Sequence, residues 1–454
     1  MTRLRSLPIV AACLVAGAAP ASAQQMPRDI IAAGALPITM LICELPAYHP
    51  EMSLVPAGHV HVPLERSGFA PTATFQVTYS GFTPQAQAAF QAALDIWATH
   101  ISSPVTIKVQ ANWVPLGAGV LGSAGANGLF LNFPNAPVPT TWFANAMADA
   151  ISGTDLGTGV EMTANFNSNF ASWYYGTDGN PPGNQWDLMS TVMHEIGHGI
   201  GFFGRGTVDD GNPGTGQGTE CNGIVSEGCW GIGGLPIIFE RFVEDQAGVA
   251  MMNEAAYPNY SIPMGTLLRS NQLFTDGPTI TGTLGARGQL YAPGGFQYGS
   301  SFSHFNENTY PANSPNAMMT PAIAPGESFA SAGPAVCGLF NDMGWPLGPD
   351  CQGQIVLPAN EPIAGDARAA LEVSGPNPFA SRTAVTLALR ESGDVRAELL
   401  DVTGRVVAVL HDGAVGAGAP VEMAVDGAGL GAGVYVVRVV GADFTATRRL
   451  VLAR

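Results

Sequence analysis

The sequence predicts an α+β domain over residues 70–352 followed by a small β-sandwich over residues 371–454. Three observations carry that prediction. Helical periodicity and alternating strand runs are interleaved up to about residue 350; the stretch Pro358-Ala-Asn-Glu-Pro-Ile-Ala-Gly-Asp-Ala367 then breaks the pattern; only short β-patterned runs and turns follow. A length of 454 residues suits two or three domains and is ample to bury a core.

Composition narrows the function classes. Hydrophobic residues make up 46% of the chain, charged ones 12%, and mean hydropathy is +0.18, so the balance is not that of a disordered chain. The 35 acidic and 18 basic side chains give a net charge of −17, which repels phosphate backbones, so no nucleic-acid partner is expected.

The chain begins with Met1-Thr-Arg-Leu-Arg5, a short apolar core through Ile9, Val10, Leu14 and Val15, and Ala21-Ser22-Ala23, which reads as a signal peptide over residues 1–23 cleaved after Ala23. Export to the outside or the cell surface follows. No later stretch reaches the roughly 18 uninterrupted apolar residues of a spanning helix, so no transmembrane anchor is expected. Residues 24–69 read as an N-terminal segment ahead of the first domain. Within that domain Thr83-Pro84 starts a helix as N-cap and N1 proline, with Phe90, Ala93, Leu94, Trp97 and Ile101 as its core stripe, and Val105–Val109 and Val160–Phe166 read as strands. The second of these is the expected edge of a substrate cleft.

After removal of Cys13 five cysteines remain, in keeping with an oxidising compartment. Cys221 with Cys229 and Cys337 with Cys351 each bracket a loop rich in Gly or Pro and are expected to form disulfides. Cys43 is left over. Residues 353–370 read as a linker, and the runs Ala384–Leu389, Val395–Leu400, Val406–Leu410 and Val434–Val440 as strands of the terminal sandwich.

The segment from Asp187 to Gly201 contains His194-Glu-Ile-Gly-His198, with Asp187 as expected N-cap. Positions i and i+4 share one helix face, so His194 and His198 can present imidazole nitrogens to one zinc ion. Glu195 beside them has the chemistry of a general base that takes a proton from an activated water and delivers it to a leaving amine. Thr191 is expected on that same face, and Leu188, Val192 and Ile196 form an apolar face for burial. A third protein ligand is required. Glu220 stands at one plausible distance, in a glycine-rich stretch without helical pattern; His304 in Ser303-His-Phe-Asn is the other candidate.

The pattern from His194 through Gly201 resembles the metzincin zinc metallopeptidases but departs from them at Gly204, where their next ligand falls. With His304 and Asn316-Ala-Met-Met-Thr-Pro321 downstream, it is similar to the leishmanolysin-like branch, in which a long insertion, here about residues 205–300, precedes the third histidine. The resemblance covers roughly residues 70–350. It implies a zinc-dependent endopeptidase acting on proteins or peptides, with His194, His198 and His304 as ligands, Glu195 as base and Met319 as the Met-turn residue, Met318 being the fallback. It also implies a role for Cys43 as a pro-segment thiolate on the metal. Gly375-Pro-Asn-Pro-Phe379, Leu400-Asp-Val-Thr-Gly-Arg-Val-Val407, Gly431-Ala-Gly-Val-Tyr435 and Thr447-Arg-Arg-Leu-Val-Leu452 resemble a C-terminal sorting domain of the type IX secretion system, an Ig-like β-sandwich. That implies the secretion machinery as a partner. Calcium is the second cofactor considered, from Asp178, Asp209 and Asp210 among asparagines and glycines, although no EF-hand spacing is present. The rival to a peptidase is a surface adhesin or binding protein whose metal site is structural.

Overall fold

The side chains that build the first core are those of the predicted helix stripe. In the computed structural model, which describes residues 35–37, 43–46, 52, 55, 68–212, 220–356, 369–389, 392–401, 405–441 and 444–453, α1 spans Pro84–His100. Thr83 Oγ1 accepts from the Ala86 amide at 3.2 Å, and Pro84 occupies the first turn, as the sequence predicts. Phe90, Ala93, Leu94, Trp97 and Ile101 are all buried. Residues 1–23, read as a signal peptide, most of segment 24–69 and most of the stretch 353–370 read as a linker lie outside the described residues.

A five-stranded mixed sheet packs against this helix. Its strands are β1 (Cys43–Pro46), β2 (Phe75–Ser80), β3 (Ile107–Val114), β4 (Val120–Ala126) and β5 (Met162–Asn167), in the order β1-β4-β5-β3-β2. The β2, β3 and β5 strands run parallel; β4 is antiparallel to β5, and β1 is antiparallel to β4. Two expectations need correction here. The strand placed at Val105–Val109 begins two residues later, and the stretch Val160–Phe166 forms β5, which is flanked on both sides and is no edge. The antiparallel strand is β4, and residues 43–46 pair along its outer side, Leu45 opposite Gly122.

One face of the sheet carries a polar ladder, Gln110 to Asn112 to Asn165 to Ser123, joined side chain to side chain at 2.9–3.3 Å. The other face packs on α1 and on α2 (Leu188–Gly199), every residue of which is buried. The Trp97 indole N–H donates to the Met193 carbonyl at 3.0 Å and ties α1 to α2. Among the described residues between 205 and 300 the elements are short, including a 3-10 turn at Ile238–Phe242 inside the stretch 235–249 that reads as the most regular of the insertion. Both expected disulfides, Cys221–Cys229 and Cys337–Cys351, are present.

The C-terminal region is a β-sandwich with its own core. It contains β6 (Ala369–Val373), β7 (Arg382–Leu389), β8 (Gly393–Leu400), β9 (Val406–Val415), β10 (Val421–Asp426), β11 (Gly433–Val440) and β12 (Thr445–Leu452). A three-stranded sheet, β6-β7-β10, faces a four-stranded one, β9-β8-β11-β12. Leu371, Val385, Val425, Val395, Leu399, Val437 and Leu450 from the two inner faces meet in one cluster, which is what period-2 burial on each strand requires. The chain is thus of mixed α+β class with a small β-sandwich at its end. Among the described residues no helix is long and apolar enough to cross a membrane.

Candidate metal centre

The i, i+4 spacing on α2 does what helical geometry demands and brings His194 Nε2 to 3.1 Å from His198 Nε2. His304 Nε2 arrives from 106 residues beyond His198, at 3.1 Å from His198 Nε2 and 3.2 Å from His194 Nε2. All three rings are buried. Each has its other nitrogen against a backbone carbonyl: His194 Nδ1 to Met318 O at 2.7 Å, His198 Nδ1 to Phe202 O at 2.8 Å, His304 Nδ1 to Ser300 O at 2.7 Å.

A carbonyl oxygen can only accept, so each Nδ1 is the protonated nitrogen, and in the neutral ring each Nε2 carries a lone pair. Three lone pairs therefore point into one space with no proton among them. Such a trio is repulsive by itself and is relieved by a cation. Three nitrogens each 2.0–2.1 Å from a tetrahedral ion stand about 3.3 Å apart, close to the 3.1–3.2 Å found here. The set fits zinc. Burial acts in the same direction: it holds His194 well below the ordinary histidine range, helped by the neighbouring His198, and pushes His198 down to about 4.

Local sequence explains how the loop-borne ligand gets there. The amide of Gly204 donates to Ser303 Oγ at 3.2 Å, so the residue where a compact motif would place its ligand touches the residue before His304. The insertion is spliced in at that point. A side chain at 204 is excluded, because its Cβ would lie 2.2 Å from the Phe302 ring. Gly201, at φ +125, supplies the left-handed step by which the chain leaves the helix.

Met318 and Met319 lie in a 3-10 turn over Ala317–Met319 that meets the His194 ring. Met319 Sδ sits 2.8 Å from where a Cβ on Gly197 would be, so Gly197 makes room for it, while Met318 contributes the carbonyl that His194 uses. The Phe305 amide donates to the Met319 carbonyl at 2.8 Å, which locks this turn to the His304 segment. None of the three carbonyl partners could be found from residue types, since every residue has a carbonyl.

Glu195 is fully buried on α2, and its Cγ lies against β4 at Gly122. Asp187 stands at the N-cap position, but its side chain accepts from the Ser190 and Ser328 hydroxyls at 2.6 and 3.1 Å, and burial raises its pKa to about 6. The Thr191 hydroxyl is taken up within the helix: Oγ1 donates back to the Asp187 carbonyl at 2.9 Å. Leu188, Val192 and Ile196 are buried as expected. Glu220 is engaged elsewhere, 3.8 Å from the Arg205 guanidinium and accepting from the Tyr298 hydroxyl at 3.3 Å, and does not join the histidines.

Asp178, Asp209 and Asp210 form no metal-holding group among the described residues. The reason is visible at Asp209, whose carboxylate accepts the amides of Cys221, Asn222 and Gly223, donors that take the place a cation would need. A second acidic group, Asp149, Asp155 and Glu161, is bridged by the Lys108 ammonium, 2.6 Å from Asp155 and 3.3 Å from Glu161. Cys43 has its backbone in β1 opposite Ala124, and its side chain lies outside the described residues, as do His59 and His61.

No family model matches the chain and no curated protein is matched by it. Among solved structures, a DUF3244 family protein from Bacteroides vulgatus with an immunoglobulin-like β-sandwich fold is 17% identical, with a TM-score of 0.16, over 21% of this chain and 99% of that one.

Proposed function

We propose that this chain is an exported zinc-dependent endopeptidase of metzincin type, similar to the leishmanolysin-like branch, with a C-terminal sandwich that addresses it to the type IX secretion machinery. One observation supports the reading most: three buried Nε2 lone pairs, each with its tautomer set by a carbonyl, face one another next to a buried glutamate. His194, His198 and His304 would hold the ion, and Met319 underlies it as the Met-turn residue.

A bound zinc supplies a Lewis acid and lowers the pKa of water at its open position. Glu195 takes the proton of the attacking water and passes it to the departing amine. The three carbonyls keep each imidazole neutral and aimed. An extended substrate would pair with β4, the strand against Glu195, so the lane now taken by Cys43–Pro46 has to be vacated for it. That fits residues 24–69 being a pro-segment.

The reading is tested by Glu195→Gln. It should retain one zinc per chain and the wild-type fold while hydrolysis of a denatured protein substrate falls by about 10²–10⁴. Undiminished hydrolysis removes Glu195 from the chemistry; a zinc-replete wild type without any hydrolytic activity favours the adhesin with a structural metal.

A further inference from the structure

On the sheet side of Glu195 stands Gly122 of β4, where there is no room for a side chain. A Cβ at position 122 would meet the Asn165 carbonyl oxygen, the Phe166 ring and Glu195 Cγ, each at 3.2 Å. Two of these three cannot give way. Asn165 is backbone of β5, paired with β4 on one side and β3 on the other, and Phe166 is a fully buried ring stacked edge-on against Phe90 with centroids 5.6 Å apart. The movable neighbour is the glutamate side chain.

We infer that Gly122 is a positioning residue for the general base: its bare Cα lets β4 approach α2 closely enough to hold the Glu195 carboxylate at its working place. The backbone of Gly122 has no left-handed requirement, so local conformation gives no other reason for glycine there. The same residue is opposite Leu45 in the lane beside β4, so close approach serves the base and a paired strand together. This rests on the peptidase reading above.

The experiment is Gly122→Ala in the full chain, alone and combined with Glu195→Asp, assayed for zinc stoichiometry, kcat and KM on one peptide substrate. Expected are one zinc per chain, KM within about twofold and kcat lowered about tenfold or more, because a misplacement of a few tenths of an ångström acts on the transition state. In the Glu195→Asp background the Cγ beside residue 122 is itself the carboxylate carbon, so the alanine acts on the carboxylate directly and its penalty should differ from that in the wild type. Should crowding against Phe166 prevent Gly122→Ala from folding, the same comparison is made in Phe166→Leu, whose smaller side chain leaves Glu195 as the tight side-chain neighbour beside the Asn165 carbonyl. Wild-type kcat in Gly122→Ala, or an equal penalty with and without Glu195→Asp, overturns the inference; loss of zinc, or a rise in KM alone, makes Gly122 structural and overturns it as well. An inactive wild type would instead sink the peptidase reading, which keeps the two failures apart.

Discussion

The two cores of this chain treat ionisable groups in opposite ways. In the first domain several carboxyls are buried or half-buried and their pKa values rise: Asp149, Asp187 and Asp342 to about 6, Glu240 to about 7, Glu327 to about 8, burial being the leading cause for each. In the sandwich Glu398, covered itself but paired with half-exposed arginines, and the exposed Asp426 are held below their usual range, Glu398 chiefly by Arg438 and Arg396, Asp426 chiefly by the Ala428 amide. The difference teaches where chemistry can be built. A buried polar group has one geometry and a strong field around it, whereas an exposed ion pair is screened and adjustable.

The sharpest way to break that contrast is to remove a histidine from each region. His304→Ala should strip zinc from the chain and abolish hydrolysis, because two imidazoles of α2 remain without the third donor. His411→Ala, whose ring makes a 3.3 Å contact with the Gly413 carbonyl in the sandwich, should keep wild-type zinc and rate. Zinc by atomic emission and a peptide assay on both variants decide it. Full zinc in His304→Ala would transfer the third-ligand role elsewhere.

How much of this was legible in the sequence depends on how far apart the interacting residues are. His194, Glu195, His198 and the cap at Thr83 are local patterns on a helix, and they stand where the 3.6-residue period puts them. His304 was reachable only through a resemblance, since nothing in the spacing says that Gly204 and Ser303 meet. The edge assigned to Val160–Phe166 failed for a related reason: alternation identifies a strand, but strand order is decided by partners, and β4 and β3 close both sides of β5. In the sandwich the pattern found β7, β8, β9 and β11, while β6, β10 and β12 were not read as strands. The first of these follows the linker, and β10 lies between glycine- and alanine-rich turns that hide its six-residue alternation.

Smaller than the loss of a ligand is the effect of covalent staples, which only the first region has: no cysteine lies beyond Cys351. Cys337→Ala with Cys351→Ala opens a loop of sequence separation 14 next to the core and should cost about 3 kcal/mol of unfolding free energy. Denaturant titration followed by tryptophan fluorescence checks it, all seven tryptophans preceding the sandwich. An unchanged midpoint would mean that packing alone holds Pro334–Met343 against Pro349–Gln352.

The two regions should also answer pH with opposite sign. Glu327 accepts the Asn313 and Ala324 amides, each at 2.8 Å, and its folded pKa of about 8 lies above the ordinary glutamate value of 4.5. A raised folded pKa means that the protonated form favours the fold: the contribution is complete below about 4.5 and disappears as pH climbs to about 8. Glu327→Gln, uncharged at every pH, should therefore flatten part of the fall in melting temperature between pH 5 and pH 8. Asp149, Asp187, Glu240 and Asp342 keep the remainder of that slope. Retention of the whole slope would remove Glu327 from it.

For Glu398 the sign reverses, because its pKa is lowered: the contribution is present above its unfolded value and is lost as pH falls. Its partners are Arg396 Nε and Arg438 Nη2, both at 2.8 Å, on side chains that are nearly half exposed. Solvent screening and the entropy of ordering two long side chains offset most of the attraction. Glu398→Gln should thus leave the melting temperature at pH 7 within about 2 °C of wild type and narrow that difference further as pH falls through the lowered pKa of the carboxylate. A larger loss at neutral pH, removed by high salt, would show that this surface network is stiffer than its exposure implies, and the contrast between the two cores would then be one of degree.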